Sequence, residues 1–162
     1  MTKAWVNRST IEFVTQEARR ALPLETGGVL LGYRSLDGGE IVVTRATGPG
    51  PNAVHSTSEF IPDDDYQDRK IDELYARSGR RHVYLGDWHT HPVGDKSLSF
   101  KDRRTLQRIA LYEGVHGATP IMALLACNDH KWTLSIWCYE RPVSVFDRLT
   151  LRCTRECEVV AY

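Results

Sequence analysis

The sequence predicts an α/β (α+β) protein built on a central mixed β-sheet with helices packed on its faces. Segments of helical hydrophobic period alternate along the chain with short apolar or β-branched runs bounded by glycine, proline and asparagine. The chain has 162 residues, 41% of them hydrophobic, which suits one core of good size. No internal repeat, low-complexity tract or long linker divides it, so residues 1–162 are expected to form a single domain. A mixed order of helices and strands is satisfied by a sheet flanked by helices.

The elements follow in order. Ser9-Thr10-Ile11-Glu12 has the signature of a capping box. Ile11, Val14, Ala18, Ala21 and Leu22 recur at helical spacing, so a helix is expected over 10–21, ended by Pro23. Gly27 to Tyr33 reads as a buried strand, Asp37-Gly38-Gly39 as a hairpin turn and Glu40 to Ala46 as the return strand. Gly48-Pro49-Gly50-Pro51-Asn52 holds too many breakers for anything but a loop. A second helix is expected over 63–77, with Tyr66, Lys70, Ile71, Leu74 and Tyr75 on one side. Its opening run, Asp63-Asp64-Asp65, suits the positive end of the helix dipole and is preferred as that to a metal site.

His82-Val83-Tyr84-Leu85 then leads a strand into Gly86-Asp87-Trp88-His89-Thr90-His91-Pro92. Residues i and i+2 of a strand share a face, so His89 and His91 aim two imidazoles at one point before Pro92 stops the ladder. Ser99-Phe100-Lys101-Asp102 is a second capping signature and opens a third helix to about Glu113, with Leu106, Ile109, Ala110 and Leu111 turned inward. Its Asp102 stands in the first turn, where a carboxylate can close on the histidines. Two imidazoles and one carboxylate make a common catalytic zinc set with a fourth position open. Each part has an ordinary structural use by itself; the combination is what points to a metal.

Gly114 and Gly117 bracket a loop, and Ile121 to Cys127 and Trp132 to Tyr139 form a strand pair turning at Asn128-Asp129-His130. Val143 to Phe146 and Glu158 to Val160 are candidate edge strands. Cys127, Cys138, Cys153 and Cys157 read as buried small hydrophobes in a reducing compartment. The three-residue gap between Cys153 and Cys157, with no histidine near, does not suit a second zinc site.

Lys+Arg and Asp+Glu both total 21, so charge gives no sign of nucleic acid or of an anionic membrane as partner. The first residues lack the apolar stretch of a secretory signal, and no run approaches the roughly 18 apolar residues of a membrane span. A cytoplasmic protein is the expectation.

Glu25, His89-Thr90-His91-Pro92, a six-residue spacer and Ser99-Phe100-Lys101-Asp102 together resemble the full motif of the JAMM (MPN) metalloproteases. Glu25-Thr26-Gly27-Gly28-Val29-Leu30-Leu31-Gly32, Gly48-Pro49-Gly50-Pro51-Asn52-Ala53 and Tyr84-Leu85-Gly86-Asp87-Trp88 are further similar to small bacterial members, which are associated with anti-phage operons carrying ubiquitin-conjugation-like enzymes (CBASS or Bil type). The likeness covers roughly residues 5 to 140.

The resemblance implies the JAMM/MPN fold and one Zn2+ per chain, held by His89, His91 and Asp102. It also implies Glu25 as the general base beside the metal and Ser99 as donor to the oxyanion of the attacked carbonyl, besides its cap. It implies an isopeptidase that cuts after the C-terminal glycine of a ubiquitin-like protein, with that protein or its conjugate as partner. His55 follows a loop that borders the site in the bacterial relatives and is a candidate substrate contact. Trp88 either packs in the core or shapes the channel beside the metal.

Other readings are a peptidase acting on a sulfur-carrier adduct and a non-catalytic MPN interaction module, which has no use for a complete ligand set. A zinc deaminase wants His-x-Glu and Pro-Cys-x-x-Cys, and neither occurs.

Overall fold

The structure, a computed structural model, describes residues 2–37, 39–112 and 119–162. Strand β1 (Lys3–Val6), which no apolar run announces, alternates its burial and puts Ala4 and Val6 in the core. Helix α1 (Arg8–Ala21) begins earlier than its Ser9 signature suggests, because Asn7 is the cap. The Asn7 side chain accepts from the Ser9 N–H at 2.9 Å, and the Ser9 hydroxyl donates to the same oxygen. Thr10, Val14 and Ala18 form its buried stripe. Strands β2 (Gly27–Arg34) and β3 (Glu40–Ala46) pair antiparallel as expected, with Gly38 of their turn outside the described residues.

After the Gly48–Asn52 loop comes a small hairpin, β4 (Val54–His55) with β5 (Phe60–Ile61). Helix α2 (Asp64–Arg77) is capped by Asp63, whose carboxylate accepts from Tyr66 N at 3.1 Å and Asn52 N at 3.0 Å. The acidic run is thus a helix start. The deeply buried side chain of α2 is Gln67, which its polarity hid: it bonds the Thr47 hydroxyl and the Gly48 and Pro49 carbonyls, fastening the loop to the helix. Tyr75, expected on the inner side, is 38% exposed.

Strand β6 (Val83–His91) contains a bulge. Opposite Leu30 and Leu31 stand Gly86 and Tyr84, so Leu85 is the extra residue. Gly86, at φ 153°, is the residue that permits it; a Cβ there would meet the Ile121 carbonyl oxygen at 1.8 Å. The bulge resets the alternation. Leu85, Trp88 and Thr90 turn to one side, while Asp87, His89 and His91 share the other.

Helix α3 (Phe100–Leu111) has the predicted capping box at Ser99. Leu106 is buried, but Leu111 is 56% exposed because the helix ends there, at a Tyr112 cap. The loop expected around Gly114 and Gly117 lies outside the described residues. Strands β7 (Ile121–Asn128) and β8 (Lys131–Tyr139) pair through a two-residue turn in which Asp129 and His130 both have positive φ, the geometry that matches strand twist. Val143 to Phe146 is not an edge strand. Ser144 caps a short helix, α4 (Val145–Leu149), by accepting from Asp147 N, and this local bond outweighs the β-propensity of the two valines. Strands β9 (Thr154–Glu156) and β10 (Glu158–Ala161) end the chain, the second as expected.

The large sheet runs β10-β1-β3-β2-β6-β7-β8-β9 and is mixed, with β1 parallel to both neighbours and β6 parallel to β7. On one face α1 packs over Leu30, Ile41, Val43, Trp88, Ala123 and Leu125. On the other, α3 places Leu106 with Leu98, Met122, Tyr139 and Cys153. The expected class, a mixed sheet with helices on its faces, is the one observed. No helix among the described residues is long and apolar enough to cross a membrane.

Candidate metal centre

Strand β6 lies inside the sheet, between β2 and β7, so its C-terminal end is held from both sides. His89 and His91 stand on the face toward α3. Thr90, between them, is fully buried on the reverse side. Its Oγ1 accepts from Thr26 N at 2.9 Å, and its N–H donates to Thr26 O at 2.9 Å. Trp88 is also on the reverse side, 1% exposed, with Nε1 donating to Thr47 O at 2.9 Å. Of its two candidate uses the structure has core packing, so Trp88 is corrected as a substrate contact: the alternation past the bulge turns the indole away from the histidines.

The segment between Pro92 and Ser99 returns the chain to the site and is pinned by Leu98, 5% exposed. Within it the Asp95 carbonyl lies 3.2 Å from His91 Nδ1. With Nδ1–H donating there, Nε2 is left bare for a metal. At the start of α3 the capping box is reciprocal: Ser99 Oγ accepts from Asp102 N at 3.1 Å and Asp102 Oδ2 accepts from Ser99 N at 2.8 Å. This aims the carboxylate at the strand end.

The three side chains converge. His89 Nε2 is 3.3 Å from His91 Nε2 and 3.1 Å from Asp102 Oδ1, and His91 Nε2 is 3.5 Å from Asp102 Oδ2. Ligands about 2.0–2.1 Å from a tetrahedral zinc stand about 3.3 Å apart, the spacing found between the two imidazole nitrogens and between His89 and Asp102 Oδ1. Among the described residues this is the group of His, Cys, Asp and Glu side chains close enough to hold a metal. Burial opposes the charge of Asp102, but the hydrogen bonds from His89, His91 and Ser99 outweigh it and hold its carboxyl well below the usual range. Asp102 raises His91 in turn.

Glu25 stands outside the triad, immediately before β2. The register Gly27 to His89 brings that strand start beside the histidines, and the hairpin β4–β5 holds it there. Glu25 N donates to Ser56 O at 2.7 Å, and its carbonyl is 2.8 Å from His55 Nδ1. The carboxyl is raised by burial, against the pull of the His89 and His91 charges; Asp102 adds to the rise and Lys101 opposes it. His55 is therefore engaged with the backbone of Glu25, and its ring packs on Phe60. Lys101 in the first turn of α3 pairs with Glu59 in the hairpin loop, spanning the two walls of the site.

Sequence reasoning missed the Thr26–Thr90 link, the Asp95 carbonyl and the Lys101–Glu59 pair; a threonine between two histidines was the one available signal. It also left Asp87 unassigned. That carboxyl lies on the histidine face and accepts from Tyr84 Oη at 2.7 Å, a meeting the bulge makes possible. Of the other histidines, His82 has Nδ1 3.2 Å from the Thr44 hydroxyl and stacks on Tyr33, His130 is in the β7–β8 turn, and His116 lies outside the described residues.

The family described as prokaryotic homologues of the JAB domain matches residues 8–138. A probable metalloprotease of Sinorhizobium fredii, y4qB, is 35% identical over 134 residues, covering 82% of this chain and 81% of that protein. A CD-NTase/cGAS isopeptidase of Escherichia coli is 29% identical over 108 residues, 67% of this chain and 65% of that one. The solution structure of protein DSY2949 from Desulfitobacterium hafniense superposes with a TM-score of 0.70 at 19% identity, covering 98% of this chain and 92% of that chain, which is a likeness of fold.

Proposed function

The chain belongs to the family of prokaryotic JAB-domain homologues, a family of metallopeptidases, and from that premise we propose that it is a zinc-dependent isopeptidase acting on conjugates of a ubiquitin-like protein in the cytoplasm. The observation that carries the reading is the convergence of His89, His91 and Asp102 with the Glu25 carboxyl beside them. His89, His91 and Asp102 would hold a zinc ion, which when bound would lower the pKa of water at the site to about 7.

The chain's own groups do the rest. Glu25, half-buried and raised by burial, takes a proton and returns it to the leaving amine, work that contributes about 10²–10⁴-fold. Ser99 Oγ accepts from Asp102 N through a lone pair, so its hydroxyl proton stays free to donate to the carbonyl oxygen as charge develops there. His89 and His91, fixed by the strand, and Asp102, fixed by the cap, keep the geometry from relaxing. An extended tail ending in glycine binds by strand addition, and the hairpin β4–β5 is the strand edge beside Glu25, with Val54 and Ile61 half-exposed. The isopeptidase relatives support a protein conjugate as substrate; the anti-phage setting is what the resemblance to small bacterial members implies.

The test is incubation of the zinc-loaded protein with a ubiquitin-like protein encoded beside it, fused to a target through a lysine or as a precursor tail. Cleavage after the terminal glycine, blocked by a chelator and restored by zinc, is the expected result. An intact fusion in the presence of stoichiometric zinc overturns the substrate class.

A further inference from the structure

The segment that ends the chain joins the two edges of the sheet. Thr154–Glu156 pairs with β8 and Glu158–Ala161 pairs with β1, so Cys157 is the single residue between the edges. Its N–H donates to Ile136 O at 2.8 Å, and it is 6% exposed. Its Sγ lies 2.7 Å from the Sγ of Cys138 on β8, and both are free thiols. The two sulfurs, one on β8 and one on the residue that links β9 to β10, are close enough for a disulfide to form between them. Cys153 instead turns its thiol to the Asp147 carbonyl, and Cys127 touches no thiol among the described residues.

A third group completes the site. The Arg34 guanidinium, largely withdrawn from solvent and donating to the Thr119 carbonyl, acts on both sulfurs. The hydrogen bond from Cys157 holds the Cys138 thiol below its usual value against the opposing effect of burial, and the Arg34 charge adds to the lowering. The same bond and burial push Cys157 up. Cys138 is thus the more readily deprotonated of the two and the better nucleophile of the pair. Cys138 and Arg34 also line a surface cleft with Tyr139 and Arg141, a path for a small oxidant.

We propose that Cys138 and Cys157 form a hydroperoxide-reactive dithiol whose oxidation to a disulfide staples the closing strand to β8. The Cys138 thiolate attacks one peroxide oxygen and the O–O bond breaks. Cys138 becomes a sulfenic acid, and the departing hydroxide takes a proton to leave as water. The Cys157 sulfur then attacks the sulfenic sulfur, a second water leaves with the Cys157 proton, and the S–S bond forms. Two electrons pass from the sulfurs to the peroxide oxygens. The family match ends at residue 138, so the staple ties the matched part of the chain to a segment beyond it.

The experiment treats the purified chain with hydrogen peroxide, blocks remaining thiols with N-ethylmaleimide and maps non-reduced peptides by mass spectrometry. A peptide pair joined through Cys138 and Cys157 is expected, with label on Cys127 and Cys153 and all four thiols labelled after dithiothreitol. The oxidised protein is expected to melt about 5–10 °C higher, because the link restricts the unfolded chain. Arg34→Gln slows formation of the link several-fold. Cys138→Ser and Cys157→Ser each abolish it, and if either fails to fold the wild-type map decides by itself. Oxidation of Cys138 to a sulfinic acid with no linked peptide overturns the proposal, as does oxidation of Cys127 while Cys138 and Cys157 stay reduced.

Discussion

Thr90 and Thr26 are hydrogen-bonded twice: Thr26 N donates to Thr90 Oγ1 at 2.9 Å, and Thr90 N donates to Thr26 O at 2.9 Å. Thr90 separates the two histidines of the triad and Thr26 follows the proposed base, so this pair of hydrogen bonds sets Glu25 against the triad. Both residues are almost fully buried. Thr90→Val keeps the shape and leaves the Thr26 N–H without a partner, at a cost of about 1–3 kcal/mol. Turnover is expected to fall while zinc content is unchanged, measured by metal analysis and initial rates on one preparation.

His89→Ala, His91→Ala or Asp102→Ala is each expected to abolish tight zinc binding, since each removes one ligand of a three-residue set. A chelator should inactivate the wild type reversibly. Stoichiometric zinc in the His89→Ala/His91→Ala double mutant would place the metal elsewhere.

Glu25→Gln separates the base from the metal site. In the zinc-free protein burial raises the folded Glu25 carboxyl above the ordinary glutamate value of 4.5, so the folded state binds more protons than the unfolded state between 4.5 and that raised value. Stability therefore falls as pH rises through this window, and the ionised group is a net burden at neutral pH. The Gln variant is expected to keep zinc and to lose turnover, and its zinc-free form to melt at or above the zinc-free wild type at pH 7. The melting difference should vanish below about pH 4.5. Loss of metal or of fold would move Glu25 into a structural role.

Ser99→Ala removes a cap and a proposed donor together. Losing the cap costs about 1 kcal/mol of stability, whereas losing an oxyanion donor costs about 10²–10³ in rate. A rate loss of that size at modest cost in melting temperature supports the donor; a loss of melting temperature with unchanged kcat leaves only the cap.

A bulky residue in place of the substrate's terminal glycine is expected to slow cleavage by about tenfold or more, because a misplacement of about 1 Å can cost 10²-fold. Glycine permits the closest backbone approach to the metal. Equal rates on both tails would remove the narrow channel and leave the peptidase chemistry standing.

The convergence of His89, His91 and Asp102 was legible in the sequence because its parts obey local rules. A two-residue period puts His89 and His91 on one face, and Ser99 with Asp102 forms a cap that needs only its own helix start. The main strands β2, β3, β6, β7 and β8 announced themselves by runs of apolar and β-branched residues for the same reason. What tertiary structure decided is everything carried by distant pairing. Strands β1 and β10 are four residues each and exist because Lys3 meets Glu158 across nearly the whole chain, a partnership with no trace in either segment alone. The side of the sheet taken by Trp88 depends on a bulge that Gly86 allows and the β2 register imposes. Glu25 stands by the histidines because Gly27 pairs with His89, and His55 is drawn to the Glu25 carbonyl because a two-strand hairpin folds back over it. Periodicity and capping act over a few residues and are written in them; register and strand order are settled by which buried faces and backbone groups find partners, and that happens only in the folded chain.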